Sequence, residues 1–468
     1  MFVGRTKELA FLNECYSSNK AEFVVLYGRR RIGKTALLQE FSRDKFSLYY
    51  TAVEITDHVQ LSKLSDHVLE KLPAPAYTKD FPDWETLFQF IGEQATRDDK
   101  LVFIIDEFPY MVQNNRGLSS ILQKQWDIHL KDRNIMMVLC GSSMSFMEKK
   151  VLSEKNPLYG RTTGIMKLEE MDFQHARQFM GDGDFQQHLT YYSVYSGVPY
   201  YLGMINPSVN FQENLRKSIF STTSVLFHEP EFLLKQELRE VAQYNAIIES
   251  VASGDSRHNE IHQKTGIERT KLPYYIGNLL DLGILKKEFP VTMKEKERAK
   301  SKSGLYGLGN HYFRFYYAFV YPYLSEIQEG FEGIVIEETV LPRINQYVSL
   351  VFEQVAMEQV RLWTKEGRLP VSPLRVGRWW EKDREIDILG RDLKGHYLFG
   401  ECKWRNEKTS LKTLAALKNK VSLSFPDAKE PCYMLFSKSG FTQSLRDEAE
   451  NDGNVVLVDC SGTDFSIQ

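Results

Sequence analysis

The stretch FVVLYGRRRIGKTALLQEF, from Phe23 to Phe41, decides the fold of the first part of the chain. Its first five residues are apolar and partly β-branched, as in a buried strand, and its last part has the apolar spacing of an amphipathic helix. Between them, Gly28 to Thr35 match the pattern GxxxxGKT. Strand, loop and helix in this order form the context in which the motif binds phosphate, although a glycine-rich turn can match the pattern by chance.

Each residue type in this loop has a physical role in holding a nucleoside triphosphate. Gly28 and Gly33 permit the backbone turn, and backbone N–H groups face the phosphates together with the helix N-terminus. Lys34 is expected to reach the β and γ oxygens, and Thr35 to ligate Mg²⁺. The loop therefore predicts ATP and Mg²⁺ as cofactors.

A second apolar run, KLVFIIDEFPYM from Lys100 to Met111, predicts a buried strand that ends in two carboxylates. Asp106 is expected to hold Mg²⁺ through water, and Glu107 to polarise the attacking water as general base. An Asp-Glu pair at a strand end can also simply cap a helix. A third strand, NIMMVLCGSS, places Ser142 and Ser143 where a group that senses the γ-phosphate would lie, and a turn held by a hydroxyl group fits equally well.

These residues resemble those of the AAA-related P-loop ATPases of archaea and some bacteria, close to the signal-transducing STAND class. The resemblance covers FVGRTKEL (Phe2–Leu9), the two motifs above, PLYGR (Pro157–Arg161) and SGVPYYL (Ser196–Leu202). It implies that Gly4 and Arg5 lie beside the adenine and that Gly197 and Pro199 close over the nucleotide from a helical lid. Gly197 and Pro199 also fit an ordinary turn between helices.

Arg161 is a candidate arginine finger that acts on the nucleotide of a neighbouring subunit, because arginine stabilises the charge of the phosphoryl transition state. The other interpretation is a surface or salt-bridged arginine. A homo-oligomer or a protein partner is therefore a candidate assembly.

The middle of the chain predicts a winged helix-turn-helix. Tyr244 to Thr292 has the pattern of three helices followed by a strand, and Glu268, Arg269, Thr270 and Lys271 lead the third, recognition helix. Lys286 to Lys302 follows with seven basic and three acidic residues, a local charge of +4. Such a wing neutralises phosphates, which makes DNA a candidate partner. A protein-contact or spacer module is the alternative, because the net charge of −3 gives no global attraction to nucleic acid.

An aromatic stretch, LYGLGNHYFRFYYAFVYPYLSEI from Leu305 to Ile327, follows the wing. Aromatic residues at helical spacing indicate a core or a domain interface more often than a platform for stacking bases.

Three ionisable residues lie on a predicted hairpin, EIDILGRDLKGHYLFGECKW, from Glu385 to Trp404. Alternation places Asp387 on the face opposite its isoleucine neighbours, and Glu401 and Lys403 on a shared face. A turn from Asp392 to Gly395 would bring the three together. Two close carboxylates on a partly buried face are costly unless a divalent cation lies between them, and Mg²⁺ or Mn²⁺ prefers such ligands. Lys403 could then orient or deprotonate the water that attacks a phosphodiester.

The pattern Asp-x13-Glu-x-Lys resembles the signature of the PD-(D/E)XK restriction-endonuclease-like superfamily. The preceding helix, YVSLVFEQVAMEQVRLW, contains Glu353, which the resemblance makes an accessory carboxylate and metal ligand. A solvated salt-bridge cluster on an edge hairpin is the alternative. ATPase, winged helix and nuclease-like domain together resemble an uncharacterised family whose C-terminal half is a domain of unknown function.

Length and composition fit an intracellular protein of several folded domains, and the motifs and resemblances above imply an α/β fold class. With 468 residues, 42% hydrophobic and 26% charged, the chain predicts about two to four folded domains. The expected domains are a P-loop ATPase core (1–170), a helical lid (171–235), the winged helix (236–305), an aromatic connector (306–340) and the restriction-endonuclease-like α/β domain (341–468). Five scattered cysteines favour neither zinc nor a disulfide framework, and the absence of a long apolar run predicts a cytoplasmic protein without a membrane span.

The sequence therefore predicts an ATPase coupled to DNA binding and to a metal-dependent nuclease-like domain. The alternative is an ATP-dependent signalling switch or transcriptional regulator whose C-terminal domain is a non-catalytic docking module.

Overall fold

The computed structural model describes residues 2–75, 78–95, 99–299, 301 and 303–467. The chain forms two compact units. The first consists of Met1–Met171 with Val198–Tyr200, and the second of Asp172–Gly197 with Tyr201–Gln468.

A five-stranded, all-parallel sheet forms the centre of the first unit. Its strands are β1 (Glu22–Tyr27), β2 (Ser47–Thr51), β3 (Leu101–Asp106), β4 (Ile135–Gly141) and β5 (Gly164–Lys167), in the order β2-β3-β4-β1-β5. Strands β1, β3 and β4 are buried along their whole length, as continuous apolar runs in a sheet covered on both faces should be. The predicted parallel α/β fold of this part is confirmed.

The described residues of the first unit form helices before and between these strands. They are α1 (Thr6–Ser17), α2 (Lys34–Ser42), α3 (Asp57–Lys71), α4 (Trp84–Gln94), α5 (Phe108–Asn114), α6 (Leu118–Gln125) and α7 (Met144–Phe146), with π-helical turns at Trp126–Leu130 and Met147–Val151. Asp83 caps α4 by accepting a 2.8 Å hydrogen bond from the backbone N–H of Thr86, so the helix begins at a sharply defined point. Its apolar face then packs into the core that includes Phe88 and Phe103.

The second unit begins with a largely helical part. Its helices are α8 (Phe173–Ala176), α9 (Phe185–Tyr195), α10 (Pro199–Leu202, whose first two residues belong to the first unit), α11 (Phe211–Ser218), α12 (Val225–Glu237), α13 (Val241–Ala252), α14 (His258–Thr265) and α15 (Leu272–Asp281), with a 3-10 turn at Arg177–Phe179. Strands β6 (Leu285–Glu288) and β7 (Leu305–Leu308) form an antiparallel pair, and α16 (Glu295–Arg298) lies between them. Three helices and a strand thus occur where the sequence predicts them.

The aromatic stretch forms helix α17 (His311–Phe319) and a 3-10 turn at Tyr321–Tyr323. Tyr312, Phe313 and Phe315 are fully buried, and their rings contact other aromatic side chains of the same unit. These side chains belong to a core and present no surface to a base.

The last part of the chain contains a second sheet together with the helices around it. Its elements are α18 (Leu324–Gln328), α19 (Glu332–Val335, followed by a π-helical turn at Ile336–Val340), α20 (Ile344–Lys365), β8 (Arg375–Glu381), β9 (Arg384–Arg391), β10 (Tyr397–Lys403), α21 (Leu411–Ser424), β11 (Cys432–Ser437), α22 (Gln443–Asn451), β12 (Val455–Asp459) and β13 (Ser466–Ile467). The strand order is β13-β12-β11-β10-β9-β8. The pairs β10-β11 and β11-β12 are parallel. The pairs β8-β9, β9-β10 and β12-β13 are antiparallel.

Strands β9 and β10 form the hairpin that the sequence predicts. Tyr397 pairs with Arg391, and the turn between them contains Gly395 at a φ of 93°. The Asp392 side chain holds the turn by accepting a 2.8 Å hydrogen bond from the backbone N–H of His396.

All five cysteines lie in the described ranges and are free and buried. Within those ranges, every helix is too short or too polar to cross a lipid bilayer.

Candidate functional site

The glycine-rich loop joins the end of β1 to the start of α2, and two of its glycines are sterically required. A Cβ atom on Gly28 would lie 2.4 Å from the carbonyl oxygen of Leu168, and Gly33 has a φ of 92°. Side chains other than hydrogen are excluded at the first position and strained at the second. The loop therefore closes tightly around the N-terminus of α2.

Lys34, the first residue of α2, folds back over this loop. Its Nζ atom donates to the carbonyl oxygens of Gly28, at 2.9 Å, and of Arg29, at 3.0 Å. Burial lowers the pKa of Lys34, and the acidic residues at the ends of the neighbouring strands oppose that shift. The ammonium group thus lies where the phosphates of a nucleotide on this loop would be.

The hydroxyl and carboxylate predicted to share Mg²⁺ are neighbours. Thr35 Oγ1 donates to Asp106 Oδ2 at 2.9 Å, and the backbone N–H of Glu107 donates to Asp106 Oδ1 at 3.0 Å. Tyr49, which the sequence analysis did not identify, also donates to Asp106 Oδ2, at 2.8 Å. This set of oxygen atoms is of the kind that Mg²⁺ prefers, so the residues present fit that ion.

Glu107 and Ser142 form the next contact at the same edge of the sheet. Glu107 has a φ of 57°, and its Oε2 atom accepts from Ser142 Oγ at 2.8 Å and from the Ser142 backbone N–H at 3.3 Å. The Ser143 side chain does not cap helix α7. Ser142 is thus the serine that contacts the candidate general base.

A cavity of about 420 Å³ lies beside the loop. Its lining residues are Arg30, Arg31, Gly33, Lys34, Thr35, Ala36, Glu107, Ser142, Pro199 and Tyr200. Arg30, Arg31 and Tyr200 were not predicted, and the guanidinium carbon of Arg31 lies 4.6 Å from the centre of the Tyr200 ring. The run of three arginines inside the loop was the available sequence signal.

The N-terminal residues Gly4 and Arg5 have φ angles of 67° and 60°. The buried guanidinium of Arg5 donates to the carbonyl oxygens of Ile32, at 3.0 Å, and Glu169, at 2.7 Å. Arg5 therefore stabilises the loop through its hydrogen bond to Ile32. Gly4 and Arg5 are not among the residues that line the cavity. Their position beside an adenine stays a prediction.

Gly197, Pro199 and Arg161 have different environments. Pro199 lies next to the loop, with its Cγ atom 3.7 Å from a Cβ built on Gly33, and Gly197 is buried just after α9 in the second unit. Arg161 pairs with Asp127 at 3.0 Å and is not among the cavity residues. Its action on a neighbouring subunit stays a prediction.

The three predicted residues of the C-terminal hairpin come together. Asp387 Oδ2 accepts a 2.8 Å hydrogen bond from the backbone N–H of Cys402, and Lys403 Nζ donates to Glu401 Oε1 at 2.6 Å. Lys420, on α21, donates to the other oxygen of Glu401 at 2.7 Å. The sequence analysis missed Lys420 because it reaches the site only through the packing of α21 on the sheet.

Glu353 on α20 contributes to the charge of this acidic site. Burial and then the charge of Asp387 raise the pKa of Glu353 to about 7, while Arg378, 3.9 Å away, opposes the shift. Burial and then the charge of Glu401 raise the pKa of Asp387 to about 6. Burial and mutual repulsion thus disfavour the charged forms of Glu353 and Asp387.

Cationic side chains form ion pairs with the carboxylates of Glu353 and Glu401. Lys403 and Lys420 hold both oxygens of Glu401, and Arg378 pairs with Glu353. In the part of the chain that the structure describes, no three His, Cys, Asp or Glu side chains are arranged so that they could hold a metal ion. The donor chemistry suits Mg²⁺ or Mn²⁺, but the arrangement of Glu353, Asp387 and Glu401 does not form a ligand set.

Most of the described residues that are predicted to contact DNA are exposed. Glu268 to Lys271 precede α15, where Arg269 donates to Asn259 at 2.9 Å and Lys271 pairs with Glu268 at 3.2 Å. Lys294 and Lys296 are exposed between β6 and β7, and Lys300 and Lys302 lie outside the described residues.

Two family models match different segments of the chain. Residues 2–205 match a family described as an ATPase domain predominantly from Archaea, and residues 316–414 match archaeal and bacterial proteins of unknown function. The chain is 35% identical over 469 residues to an uncharacterized protein of Methanocaldococcus jannaschii, and the match covers 100% of both chains.

Two solved structures are also similar. The Walker-type ATPase of Pyrococcus abyssi, with 15% identity and a TM-score of 0.51, matches over 68% of this chain and 96% of its own. The ORC2 protein of Aeropyrum pernix has 13% identity and a TM-score of 0.46 over 71% of this chain and 95% of its own. At this identity, the Pyrococcus structure supports the P-loop ATPase fold alone.

Proposed function

The chain belongs to the same family as the Methanocaldococcus jannaschii protein and is an ATP-binding ATPase by its archaeal ATPase domain, and we propose that it couples ATP hydrolysis to cleavage of DNA by its C-terminal domain. The observation that carries the second half of the proposal is the convergence of Asp387, Glu401 and Lys403 on one hairpin, with Glu353 beside them.

The ATPase half of the proposal assigns a task to each residue at the edge of the first sheet. Lys34 would exchange its two carbonyl contacts for phosphate oxygens, and Thr35 and Asp106 would hold Mg²⁺. When bound, the ion neutralises charge that develops on the phosphoryl group. Glu107, fixed by Ser142, accepts a proton from the attacking water.

The nuclease half rests on the order of elements as well as on the acidic residues. Helix α20 comes before strands β8 to β10, and these strands lie side by side with β11 in one sheet, so that the helix with Glu353 and the hairpin with the acidic residues belong to the same part of the chain. In this proposal, the hairpin residues Asp387 and Glu401 lie beside the phosphodiester, and no step is assigned to a metal ion, since Glu353, Asp387 and Glu401 form no ligand set. Lys403 would orient the water.

DNA contact is proposed for the part between α13 and β7. Its three helices and antiparallel strand pair follow the order of a winged helix, and the exposed residues before α15 include Arg269 and Lys271. Lys294 and Lys296 add positive charge between the two strands.

A second candidate function is an ATP-dependent switch or regulator with a non-catalytic C-terminal docking domain. The pairing of Glu401 with two lysines and of Glu353 with Arg378 favours it, because carboxylates already neutralised by side chains need no metal ion.

Cleavage assays on the full chain separate the two candidates. Single- and double-stranded DNA and RNA are incubated with Mg²⁺ or Mn²⁺, with and without ATP. We expect cleavage by the wild type, a loss of about a hundredfold or more in Asp387→Asn and Lys403→Ala, and unchanged ATP turnover. Asp427→Asn, which changes an exposed aspartate after α21, is the matched control and should cleave normally. A wild type that cleaves none of these substrates favours the switch.

A further inference from the structure

The glycine-rich loop carries three consecutive arginines, and the second of them, Arg30, differs from the first in its surroundings. Arg29 forms a 2.8 Å ion pair with Glu170. Arg30 is exposed and donates a 3.1 Å hydrogen bond to the hydroxyl group of Tyr110 on α5. In the part of the chain that the structure describes, no carboxylate lies within ion-pair distance of Arg30. The charge of Arg29 is thus neutralised within the protein, whereas that of Arg30 is not.

Arg30 lines the cavity beside the loop, where positive charge exceeds negative charge. The described lining residues include three cationic side chains, Arg30, Arg31 and Lys34, and one carboxylate, Glu107. Burial is the largest cause that lowers the pKa of Lys34, and the charge of Arg30 lowers it further. Arg30 and Lys34 therefore lie close enough to repel each other, and an anion bound in the cavity would relieve this repulsion.

The hydrogen-bond partner of Arg30 places its guanidinium on the side of the cavity where hydrolysis would occur. Tyr110 follows Glu107 by one turn, and its backbone N–H donates to the Glu107 carbonyl oxygen at 3.1 Å. Because Glu107 is the candidate general base, the γ-phosphate that is attacked would lie on this side. Arg31 lies instead against the Tyr200 ring, 4.6 Å from its centre, in a cation–π contact.

Arg30 loses little when it exchanges Tyr110 for a phosphate. The hydrogen bond between the two residues is exposed to water and its acceptor is uncharged, so water can replace it at small cost. A phosphate offers charged oxygen atoms in a geometry that a guanidinium binds with two parallel hydrogen bonds. Arg29 would first have to give up its ion pair with Glu170.

We propose that Arg30 is a catalytic residue of the ATPase, which leaves Tyr110 when ATP binds and donates two hydrogen bonds to the γ-phosphate held by its own loop. The water oxygen forms a bond to the γ-phosphorus, the bond from that phosphorus to the bridging oxygen breaks, and ADP leaves with this oxygen. Glu107 takes the proton of the water, and Arg30 offsets the charge that develops on the phosphoryl group. This role requires no arginine from a neighbouring subunit. The proposal rests on the ATPase half of the function proposed above.

The test separates binding of the γ-phosphate from turnover in the full chain. Affinities for ADP and for a non-hydrolysable ATP analogue are measured by displacement of a fluorescent nucleotide, and kcat is measured by phosphate release. In Arg30→Gln, the analogue should bind about tenfold more weakly, whereas the affinity for ADP should change by less than about twofold. The kcat value should fall by about a hundredfold or more. An unchanged kcat, or equal losses of affinity for ADP and the analogue, would overturn the proposal.

Two further variants control for a structural role of Arg30. Tyr110→Phe removes the same hydrogen bond and leaves the guanidinium in place, so it should lower kcat and both affinities by no more than about twofold. Arg116→Gln neutralises another exposed arginine of the first unit and should behave in the same way. If Arg30 served only to hold α5, Tyr110→Phe would lose as much activity as Arg30→Gln, and that result would contradict a catalytic role.

Mixing two inactive variants tests whether Arg30 acts on the nucleotide of its own chain. Lys34→Ala chains, which keep Arg30 but lose ATP binding, are added in excess to Arg30→Gln chains. Phosphate release should stay as slow as in Arg30→Gln alone. Recovery of activity in the mixture would mean that Arg30 acts between subunits, which contradicts the proposal.

The same measurements separate a failure of this proposal from a failure of the ATPase. A wild type that binds nucleotide but releases no phosphate contradicts the ATPase activity. The two affinities then still decide the role of Arg30, because a loss confined to the analogue in Arg30→Gln supports its contact with the γ-phosphate. A loss shared with ADP, or no loss, rules that contact out.

Discussion

Ser142→Ala tests whether the contact between Ser142 and Glu107 positions the general base of the ATPase. The substitution removes the 2.8 Å hydrogen bond from the hydroxyl to Glu107 Oε2 and leaves the 3.3 Å bond from the Ser142 backbone N–H. A hydrogen bond to a charged group contributes about 1.5–3 kcal/mol. Because one donor remains, we expect a loss near the lower limit, which corresponds to a decrease in kcat of about tenfold.

The assay is steady-state phosphate release by the purified chain over a range of ATP concentrations. KM for ATP should change little, since Ser142 contacts Glu107 and the binding role belongs to Lys34 and the loop. Ser143→Ala is the matched control, because it removes the adjacent hydroxyl, and it should keep wild-type kcat. An equal loss in both variants, or an unchanged or increased kcat in Ser142→Ala, would refute the positioning role.

Three further predictions concern the loop, the acidic site and the wing. Lys34→Ala should abolish ATP binding measured with a fluorescent nucleotide; binding at wild-type affinity would show that the site is misplaced. Asp387→Asn should raise the melting temperature at pH 8 and by much less at pH 4, because a carboxyl whose pKa rises from 3.8 to about 6 on folding destabilises the folded state above that range, by about 3 kcal/mol at most, and not below it. An equal gain at both values of pH would contradict this. Changing Lys294, Lys296 and Arg298 together to glutamine should reduce the slope of log DNA affinity against log salt concentration by the amount expected for about three phosphate contacts. An unchanged slope would show that the wing does not contact DNA.

The first sheet was predictable where apolar runs are long. β1, β3 and β4 are uninterrupted apolar stretches, and the motifs at their ends meet because the carboxyl ends of parallel strands share one edge. Strands β2 and β5 are short and only partly buried, and their apolar pattern is too weak to identify them. Tyr49 on β2 was missed for this reason.

The acidic site was predictable only in part. Alternation and the turn bring Asp387, Glu401 and Lys403 together, since both follow from local backbone geometry. Lys420 and Arg378 could not be found in this way. Lys420 reaches Glu401 by the packing of a helix on the sheet, and Arg378 pairs with Glu353 from a register shift in β8, for which the sequence carries no clear signal.

The close approach of Gly28 to the Leu168 carbonyl matters for the choice of an inactive reference protein. A methyl group at this position collides with the main chain near the end of β5, so Gly28→Ala would disturb the sheet itself as well as the loop. Experiments that need a folded chain unable to bind nucleotide should alter Lys34. Its side chain donates two hydrogen bonds to carbonyl oxygens of the loop, and losing them does not require a strand to move. Variants at residue 28 that are recovered in a screen for loss of function would be misfolded. In a complementation experiment with such a variant, the absence of folded protein would be mistaken for the absence of catalysis.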